Sequence, residues 1–468
     1  MRAAALAPYR RPVNLARRGG SLVLRSIVHR ARVQRPKARE LLRRLRALEY
    51  CAPEELARRQ MIRLRETVAW ACWATPYWRE QARQAGWDAR ALASPTDIAA
   101  LPVLTKTLLR EQGEGLRPAT GPQPGWFANA SGGSTGVPVR LMQDSGYLDE
   151  AQAAQWFIEG WWGIRPGDAT AWLWGADRDL AQRSLRERAL EFLMQERALN
   201  AFTVEEAELD AFVRMLARWQ PPLIAGYASA LDLCARYLLN HPEIRIRPRA
   251  LRSTAEVLRA EERKRVEQAF QAPVYDQYGS REVNNLASEC PAHQGLHLNV
   301  WGRFLELVDG EGRPVPPGQP GRILVTDLSN RATAMLRYEN GDIGVASARS
   351  CDCGRPFPLL ERIVGRKSDF IHAPGGKLIH GEFFTHLFYD HPEVRAFQVV
   401  QERIEVLRVE VEIPNARLAE LAAALEPRIG AAMGSGVRIE FQQVEMIQRP
   451  ESGKHRFTRS TLDLPWTS

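Results

Sequence analysis

The sequence predicts an α/β protein with a large N-terminal domain and a small C-terminal unit. Its 468 residues, of which 45% are hydrophobic and 25% charged, have ordinary globular composition and suffice for two or three domains. Apolar residues recur every three or four positions in the first half of the chain, whereas strand patterns become frequent after residue 270. We therefore place a domain boundary near residue 365.

Helices are predicted where apolar residues recur with helical spacing, and strands where they alternate or run between Gly and Pro. Pro76 interrupts the first helical pattern, and the breaker-rich segment 309–321 predicts a hairpin connection. The C-terminal unit is predicted as strand, strand, helix and strand. The predicted helices cover 38–92 in two parts, 205–219, 228–240 and 416–430, and the predicted strands cover 272–276, 303–309, 321–328, 394–401, 406–413 and 436–444.

The composition argues against several classes of protein. No run approaches the ~18 apolar residues of a membrane span, and no secretory signal is evident at the N-terminus. Six cysteines are too few for a disulfide-stapled scaffold, so we expect a cytoplasmic protein.

The basic charge of the chain is concentrated at its N-terminus. Residues 1–48 carry 14 Lys and Arg against one acid, Glu40, so this segment has a net charge of +13, which leaves −4 of the total +9 for the rest. Residues 1–50 form a basic extension that fits either a tail for nucleic acid or anionic lipid, or a solvated basic helix. We favour the helix, because the extension lacks aromatic interleaving and any known DNA-reading motif, and we expect no nucleic acid partner.

The segment 128–141, ANASGGSTGVPVRL, contains six consecutive residues that are all Gly, Ser or Thr. Glycines let main-chain N–H groups surround an anion, and hydroxyl groups add donors, so this composition suits a phosphate. The segment is not a Walker A loop, because no Gly-Lys-Ser/Thr follows at the required spacing. The alternative is a flexible linker or a hairpin loop.

Two further segments combine an aromatic residue, a glycine and a carboxylate. QYGSRE (277–282) follows the predicted strand 272–276, where open α/β sheets bind ligands, and its Glu282 could bind Mg²⁺ together with phosphate oxygens. RYENGDIG (337–344) places Asp342 after a glycine, where a carboxylate suits ribose hydroxyls. The alternative for the second segment is a plain Asn-Gly hairpin turn.

A group of cysteines and histidines has the spacing of a metal site. Cys290, His293 and His297 are followed by the Cys351-Asp-Cys353-Gly segment, which gives four soft or borderline ligands for a closed structural Zn²⁺ site. The spacing leaves open whether His293 or His297 is the ligand. The alternative is a set of partly buried free thiols.

The order of these motifs resembles the adenylate-forming enzyme superfamily, and within it the branch of phenylacetate–CoA ligase and CapK. The motifs are the glycine and hydroxyl loop, the YGSRE segment, Tyr-x-x-Gly-Asp, GRKSDF (365–370) and ESGKHRF (451–457). The resemblance extends from about residue 55 to 468. The further segments that carry it are 75–111, 223–238, 251–258, 288–300 and 349–370.

The resemblance implies an adenylate-forming domain at 51–364, with αβ layers and a β-rich subdomain, and a small mobile α+β lid at 365–468. It implies ATP-dependent activation of an aryl or acyl carboxylic acid to an acyl-adenylate, release of pyrophosphate, and transfer to a thiol such as CoA. The alternative is transfer to a phosphopantetheinyl carrier protein, a hydroxyl or an amine in polysaccharide or natural-product synthesis. A remote alternative is a non-catalytic, zinc-stabilised binding protein. A homodimer is compatible with the resemblance.

The resemblance also implies roles for individual residues. The β- and γ-phosphates of ATP would be held by Ser131, Gly132, Ser134, Thr135 and Gly136. The rest of the nucleotide site would comprise Glu256, Asp276, Tyr278 and Gly279 at the adenine, Ser280 at the α-phosphate, Glu282 at Mg²⁺, Asp342 at the ribose, Arg366 at the ribose and hinge, and Lys454 at the transferring phosphate. Tyr227 would line the acid pocket.

Two positions depart from the pattern of many relatives, and a group of tryptophans is open to a plainer interpretation. Ser368 occupies the pivot where many relatives have Asp or Lys, and Asp369 is the candidate to share that role. Val137 stands where some relatives carry Lys, although Arg140 offers a nearby cation. The tryptophans of the acid-pocket region are better explained as core residues, and they are Trp156, Trp161, Trp162, Trp172 and Trp174.

Overall fold

The computed structural model describes residues 35–88, 92–130, 139–174, 196–200, 206–366, 370–374, 378–388, 391, 393–447 and 457–462. The predicted helices at 205–219, 228–240 and 416–430 are confirmed, whereas the pattern 38–92 forms three helices rather than two, because the chain also breaks between Ala47 and Pro53. The first pattern is divided as Pro76 suggested, because one helix ends at Ala74 and the next begins at Pro76, where the missing N–H costs no helical hydrogen bond. Within these ranges we find no helix with the length and hydrophobicity needed to span a bilayer.

The α-helices are α1 Pro36–Ala47, α2 Pro53–Ala74, α3 Pro76–Gln84, α4 Lys106–Glu111, α5 Ser145–Trp161, α6 Glu206–Trp219, α7 Ala228–Asn240, α8 Ala260–Phe270, α9 Gly381–Phe388 and α10 Leu418–Met433, and short 3₁₀ helices cover Pro95–Ala100 and Asn415–Arg417. The strands are β1 Phe127–Ala130, β2 Arg140–Gln143, β3 Thr170–Trp174, β4 Glu196–Asn200, β5 Leu223–Tyr227, β6 Ala250–Thr254, β7 Val274–Ser280, β8 Asn284–Glu289, β9 Leu296–Leu298, β10 Arg303–Val308, β11 Pro320–Asp327, β12 Tyr338–Ala346, β13 Leu359–Arg366, β14 Phe370–His372, β15 Leu378–His380, β16 Ala396–Arg403, β17 Val406–Glu412, β18 Arg438–Gln443 and β19 Thr458–Ser460.

A single mixed sheet of 11 strands organises the N-terminal part, in the order β10-β11-β12-β13-β9-β8-β7-β6-β5-β3-β4. Strands β4, β3, β5, β6 and β7 run parallel, whereas β7 to β10 are joined by antiparallel pairings through β8, β9, β13, β12 and β11. The hairpin of β10 and β11 confirms the predicted turn at 309–321. Because β7 joins the parallel and antiparallel halves, its carboxyl end faces loops from both.

Helices cover both faces of the parallel half, as the α/β fold class requires. Apolar side chains of α6, α7 and α8 pack on one face, and those of α1 and α5 pack on the other. Helices α2, α3 and α4 pack on the antiparallel half. The predicted fold class is therefore confirmed, and the carboxyl ends of β5, β6 and β7 lie together at one edge, where α/β sheets bind ligands.

Helix α1 lies within the basic extension but is packed into the N-terminal part. Its Ala38, Leu42 and Leu45 are buried against α5, while Arg43 and Arg44 remain exposed on the opposite side. The basic face is thus solvated as predicted, and the apolar face contributes to the core. A division of the chain at residue 50 separates this helix from the elements on which it packs.

The C-terminal unit has the predicted order of strand, strand, helix and strand. Strands β16 and β17 are antiparallel, β18 lies parallel to β17, and α10 covers one face through its buried Leu421, Leu425 and Ile429. A further strand, β19, pairs parallel to β16 and was not predicted. The boundary near residue 365 falls at the end of β13 and stays a prediction.

Candidate active site

The glycine-rich loop joins two strands of an antiparallel hairpin. Strands β1 and β2 pair with Ala130 opposite Arg140, so the loop connects two fixed ends. Ser131, Gly132, Ser134, Thr135, Gly136 and Val137 lie outside the described residues, and their phosphate role stays a prediction. The base of the hairpin contacts the QYGSRE segment, because Asn129 Nδ2 donates to the main-chain oxygen of Arg281 at 3.1 Å.

Strand β7 continues through Ser280, so the predicted strand end near Asp276 is wrong by four residues. Gly279 is required there, because a Cβ atom would overlap the main-chain oxygen of Asn284 where β7 turns into β8. The Ser280 hydroxyl is buried and has no hydrogen-bond partner among the described residues. A buried hydroxyl without a partner is costly, so this group is suited to receive a ligand.

Tyr278, Asn340 and Asp342 form a closed triangle of hydrogen bonds between β7 and β12. The Tyr278 hydroxyl donates to Asp342 Oδ2 at 2.8 Å, and Asn340 Nδ2 donates to the Tyr278 hydroxyl at 2.6 Å and to Asp342 Oδ2 at 3.0 Å. The alternative of an Asn-Gly hairpin turn is wrong, since β12 runs through Asn340 and Gly341, with a φ of 87° at Gly341. The carboxylate is therefore held in a fixed orientation.

Glu282 lies immediately after β7 and is buried, with 6% of its surface exposed. Its Oε1 atom lies 3.3 Å from the hydroxyl of Tyr338, which donates to it. Burial, and then the charge of Glu282, raise the pKa of Tyr338, so this residue remains a protonated donor. One carboxylate oxygen is thus oriented by the protein, and a carboxylate in this setting fits the hard oxygen donors that Mg²⁺ prefers.

Glu256 and Asp276 make hydrogen bonds that give each of them a structural role. Glu256 Oε2 accepts a hydrogen bond at 3.0 Å from the main-chain N–H of Ser229, in the first turn of α7, where a carboxylate is favourable. The main-chain N–H of Asp276 donates to Glu289 Oε2 at 2.9 Å. Burial, followed by the charge of Glu289, raises the pKa of Asp276 to about 7. Their adenine role stays a prediction.

The raised pKa of Asp276 predicts a pH-dependent stability. The unfolded chain releases this proton near pH 4, whereas the folded chain keeps it up to about pH 7. The folded state therefore binds more protons in this interval, so this residue's contribution to stability falls as pH rises from about 4 to 7. We expect Asp276→Asn to remove this residue's part of the pH dependence of the unfolding free energy, on the order of 2–4 kcal/mol over that interval. Urea unfolding at several pH values should therefore give a shallower slope of the unfolding free energy against pH. An unchanged slope would contradict it.

Tyr227, Trp156 and Trp162 lie in the core, Trp161 is partly buried against it, and the side chain of Trp174 lies outside the described residues. Tyr227 ends β5 and is buried with the apolar residues that face α6, α7 and α8, and its pocket role stays a prediction. The core interpretation is confirmed for Trp156 and Trp162, which are buried with α1 and α5. Trp172 is half-buried and lies under the guanidinium of Arg252, 4.7 Å from its ring centre.

Arg366 is the last residue of β13, and its main chain lies opposite Asp342 in the register of β12 and β13. The main-chain pairing brings the predicted hinge residue next to the predicted ribose carboxylate. Ser368, Asp369 and Lys454 lie outside the described residues, so their roles stay predictions.

Cys290, His297, Cys351 and Cys353 meet in one cluster, with all four ligand atoms within 4.8 Å of one another. The Sγ atoms of Cys290 and Cys351 are 3.6 Å apart, and Cys353 Sγ lies 3.3 Å from His297 Nε2. Two sulfur atoms of a tetrahedral zinc site lie roughly 3.8 Å apart when the Zn–S bonds are about 2.3 Å. The separations therefore fit zinc and are far too long for a disulfide.

The surroundings of the cluster orient its ligands. His297 Nδ1 lies 3.2 Å from the main-chain oxygen of Phe357, which can only accept, so Nδ1 carries the proton and Nε2 is directed at the sulfur atoms. The main-chain N–H of Ala292 donates to Cys290 Sγ at 3.4 Å, as is suitable for a thiolate. Such outer contacts fix the ligands of metal sites.

His293 lies outside this cluster. Its Nδ1 atom is 3.1 Å from Glu289 Oε2, and its ring stacks on Tyr275 with 5.1 Å between ring centres. Of the two histidines that the spacing left open, the structure brings only His297 to the cysteines. The sequence could not distinguish them, because they lie only four residues apart and the spacing to the cysteines fits either one.

The overall fold is similar to that of a CoA ligase of known structure. Two crystal structures of 2-hydroxyisobutyryl-CoA ligase, in the postadenylation state with R3-HIB-AMP and with 2-HIB-AMP, superpose with a TM-score of 0.65, at 22% identity, over 88% of this chain and 91% of theirs. A third, the open conformation with 2-HIB-AMP and CoA, gives a TM-score of 0.59 over 89% and 93%.

Sequence relatives point to one branch of that fold. The chain is 24% identical to phenylacetate-coenzyme A ligase of Thermus thermophilus over 453 residues, which is 89% of this chain and 98% of that protein. It is 25% identical to Protein CapK of Staphylococcus aureus over 268 residues, 56% of this chain and only 58% of CapK. Residues 371–461 match the CapK C-terminal domain. The predicted resemblance to the phenylacetate–CoA ligase and CapK branch is confirmed.

Proposed function

We propose that this protein uses ATP to convert a carboxylic acid into its acyl-adenylate, with release of pyrophosphate, and then transfers the acyl group to a thiol such as that of CoA. One observation supports the proposal above the others. The base of the glycine-loop hairpin, the buried carboxylate of Glu282 and the fixed carboxylate of Asp342 lie on adjoining segments, linked through Arg281 and Tyr278. This arrangement supports the proposal, because the segments to which we assign the phosphates, a metal ion and a ribose adjoin.

The chemistry of the first step explains why these groups are needed together. An anionic carboxylate that attacks the α-phosphate builds up negative charge, so catalysis depends on positioning and on charge stabilisation. Mg²⁺ held by Glu282 would supply positive charge at the phosphates. Ser280 would donate to the α-phosphate, and Asp342 would accept hydrogen bonds from the two ribose hydroxyls. Lys454 and the 131–136 loop would complete the charge compensation.

The acid is proposed to be an aryl or other apolar carboxylic acid, with Tyr227 in its pocket. CoA is the proposed acyl acceptor, and the cytoplasm is the proposed location. The names of the relatives support CoA as the acceptor, because phenylacetate-coenzyme A ligase and 2-hydroxyisobutyryl-CoA ligase are both named for a CoA thioester of a small acid.

A second candidate function is transfer of the acyl group to a carrier protein, a hydroxyl or an amine. Residues 371–461, in the proposed lid that would shape the site of the second step, match the CapK C-terminal domain, whose name does not specify a CoA acceptor. AMP release that depends on CoA would favour the first candidate over the second. A non-catalytic binding protein is disfavoured by the presence of Glu282, Asp342 and Lys454.

We also propose a structural Zn²⁺ ion held by Cys290, His297, Cys351 and Cys353. Cys290 follows β8, His297 lies in β9, and the other two precede β13, so one ion would tie these strands together at the centre of the sheet. The ion would have four protein ligands and no open position, as in structural rather than catalytic sites.

The adenylation step is tested by ATP–pyrophosphate exchange with a panel of aromatic, fatty and amino acids. We expect one acid class to support exchange, and Asp342→Asn to raise the KM for ATP, because its carboxylate can no longer accept from both ribose hydroxyls. Asp210→Asn is the matched control, since Asp210 binds Arg214 and Tyr237 at the surface of α6. Absence of exchange with every acid, in protein that is folded and loaded with Mg²⁺, would refute the proposal.

A further inference from the structure

We propose that Asn129 and Gln143 are positioning residues that hold β1 and β2, the strands that flank the glycine loop, in fixed register with Glu282, the proposed ligand of the metal ion. This inference rests on the proposed function, because it assigns the loop to phosphates and Glu282 to Mg²⁺. We refer to the two side chains as the amide clasp. They lie on β1 and β2, the two strands that carry the ends of the loop.

The amide clasp is a continuous set of hydrogen bonds between side chains and main chain. Asn129 Nδ2 donates to Gln143 Oε1 at 2.9 Å and to the main-chain oxygen of Arg281 at 3.1 Å. Gln143 Nε2 donates to the main-chain oxygen of Glu282 at 3.2 Å. The two strands of the hairpin are therefore fixed to two consecutive residues, β1 to Arg281 and β2 to Glu282, which carries the carboxylate.

Burial makes the clasp energetically significant. Gln143 is only 2% exposed, and Glu282 is 6% exposed. If the Gln143 amide is removed, the main-chain oxygen of Glu282 loses its hydrogen bond in a buried place where water cannot readily replace it, which costs about 1–3 kcal/mol. The hairpin therefore has a strong preference for one position against Glu282.

The opposite side of β2 is held independently. The main-chain N–H of Met142 donates to the Thr333 hydroxyl at 3.0 Å, and Asn330 Nδ2 donates to the main-chain oxygen of Met142 at 2.9 Å. Loss of the clasp therefore leaves β2 attached to the segment after β11. What changes is the position of the hairpin relative to Glu282.

The functional consequence follows from the geometry of a nucleotide bound with Mg²⁺. Its β- and γ-phosphates would contact the loop and the metal ion simultaneously, so the distance between the loop and Glu282 must match the phosphate chain. A misplacement of about 1 Å can reduce catalysis by ~10²-fold. The clasp fixes the two strands from which the loop starts and ends relative to Glu282, although neither amide is assigned a contact with the nucleotide.

The test compares Gln143→Met and Asn129→Leu, which keep approximate size and remove the hydrogen-bonding groups, with the double variant. Titration calorimetry gives the Kd of MgATP, and the exchange assay gives the Mg²⁺ requirement and the KM of the acid. We expect each single variant to weaken MgATP binding and raise the Mg²⁺ requirement about tenfold, with the KM of the acid unchanged. Because the two amides act as one unit, the double variant should bind MgATP with the same affinity as the single variant that loses more affinity.

Gln220→Met is the matched control, because the Gln220 amide also donates to main-chain oxygens, those of Ala217 and Arg245, far along the chain from the hairpin. Asn129→Asp, at a half-buried position, replaces Asn129→Leu if that variant does not fold. The clasp proposal is overturned if the MgATP affinity is unchanged in both single variants. It is also overturned if the KM of the acid rises by the same factor as the Kd of MgATP. Failure of the wild-type protein to bind MgATP would instead overturn the proposed function, so the two failures are distinguishable.

Discussion

Replacing Lys454 with Ala is expected to slow adenylate formation by roughly 10²–10³-fold, the scale for loss of one preorganised donor. The carboxylate that attacks the α-phosphate adds negative charge to a group that is already anionic. A cation about 4 Å from that charge contributes about 4 kcal/mol at an effective dielectric constant near 20. Lys454 belongs to the ESGKHRF motif in the proposed lid, and no other side chain is proposed to bring a cation from the lid to this phosphate.

The measurement is ATP–pyrophosphate exchange with the acid identified in the screen. Lys264→Ala is the matched control, because Lys264 is an exposed lysine on α8. Thioester formation from a synthetic acyl-adenylate should be largely retained if the lid uses another face for the second step. Exchange at the wild-type rate in Lys454→Ala would exclude the proposed role.

Replacing Cys353 or Cys290 with Ser is expected to abolish zinc binding and to lower stability by roughly 4 kcal/mol or more. Three strands depend on the cluster, since its ligands belong to β9 and to the segments that follow β8 and precede β13. Without the ion, the Cys290 thiol is protonated at neutral pH, because burial, chiefly, raises its pKa to about 12. The ion would instead hold thiolates and couple their deprotonation to binding.

Metal analysis of freshly purified protein and thermal unfolding provide the measurements. We expect stoichiometric zinc in the wild-type protein, its absence in the variants, and a melting temperature lower by roughly 5–15 °C. Chelation should have the same effect on the wild-type protein. Cys51→Ser is the control, because Cys51 is a free cysteine outside the cluster. A wild-type protein that contains no zinc would remove this proposal.

Local patterns predicted part of the secondary structure, and they missed α5, α8 and the parallel strands β3 to β6. Helices α6 and α7 begin within one residue of the predicted 205–219 and 228–240, because amphipathic spacing and the breaker residues that bound it are properties of short segments. The C-terminal strand, strand, helix and strand were predicted for the same reason. Strand β7 is longer than predicted, because its last residues are held by pairing with β8, which the sequence of QYGS does not reveal.

The site was predicted in part. Glu282, Asp342 and Tyr278 were identified as motif residues, and the structure brings Tyr278 and Asp342 into contact. Asn340, Tyr338 and Gln143 were missed, although the first two lie in the same motif as Asp342. Each binds a residue from another segment of the chain, and a lone Asn, Tyr or Gln carries no signal for such a partner.

The sequence by itself determined the order of the motifs, the α/β class, the pattern of helices and the types of ligand in the cysteine cluster, because these depend on residue identity and short-range spacing. Only the tertiary structure decided that His297 rather than His293 meets the cysteines, that α1 packs on α5, and that the glycine-loop hairpin is fixed to Glu282. Those outcomes depend on strand register and packing between segments far apart in the chain. A shift of one residue in a strand reverses which side chains face each other, so such contacts exist only once the sheet is assembled.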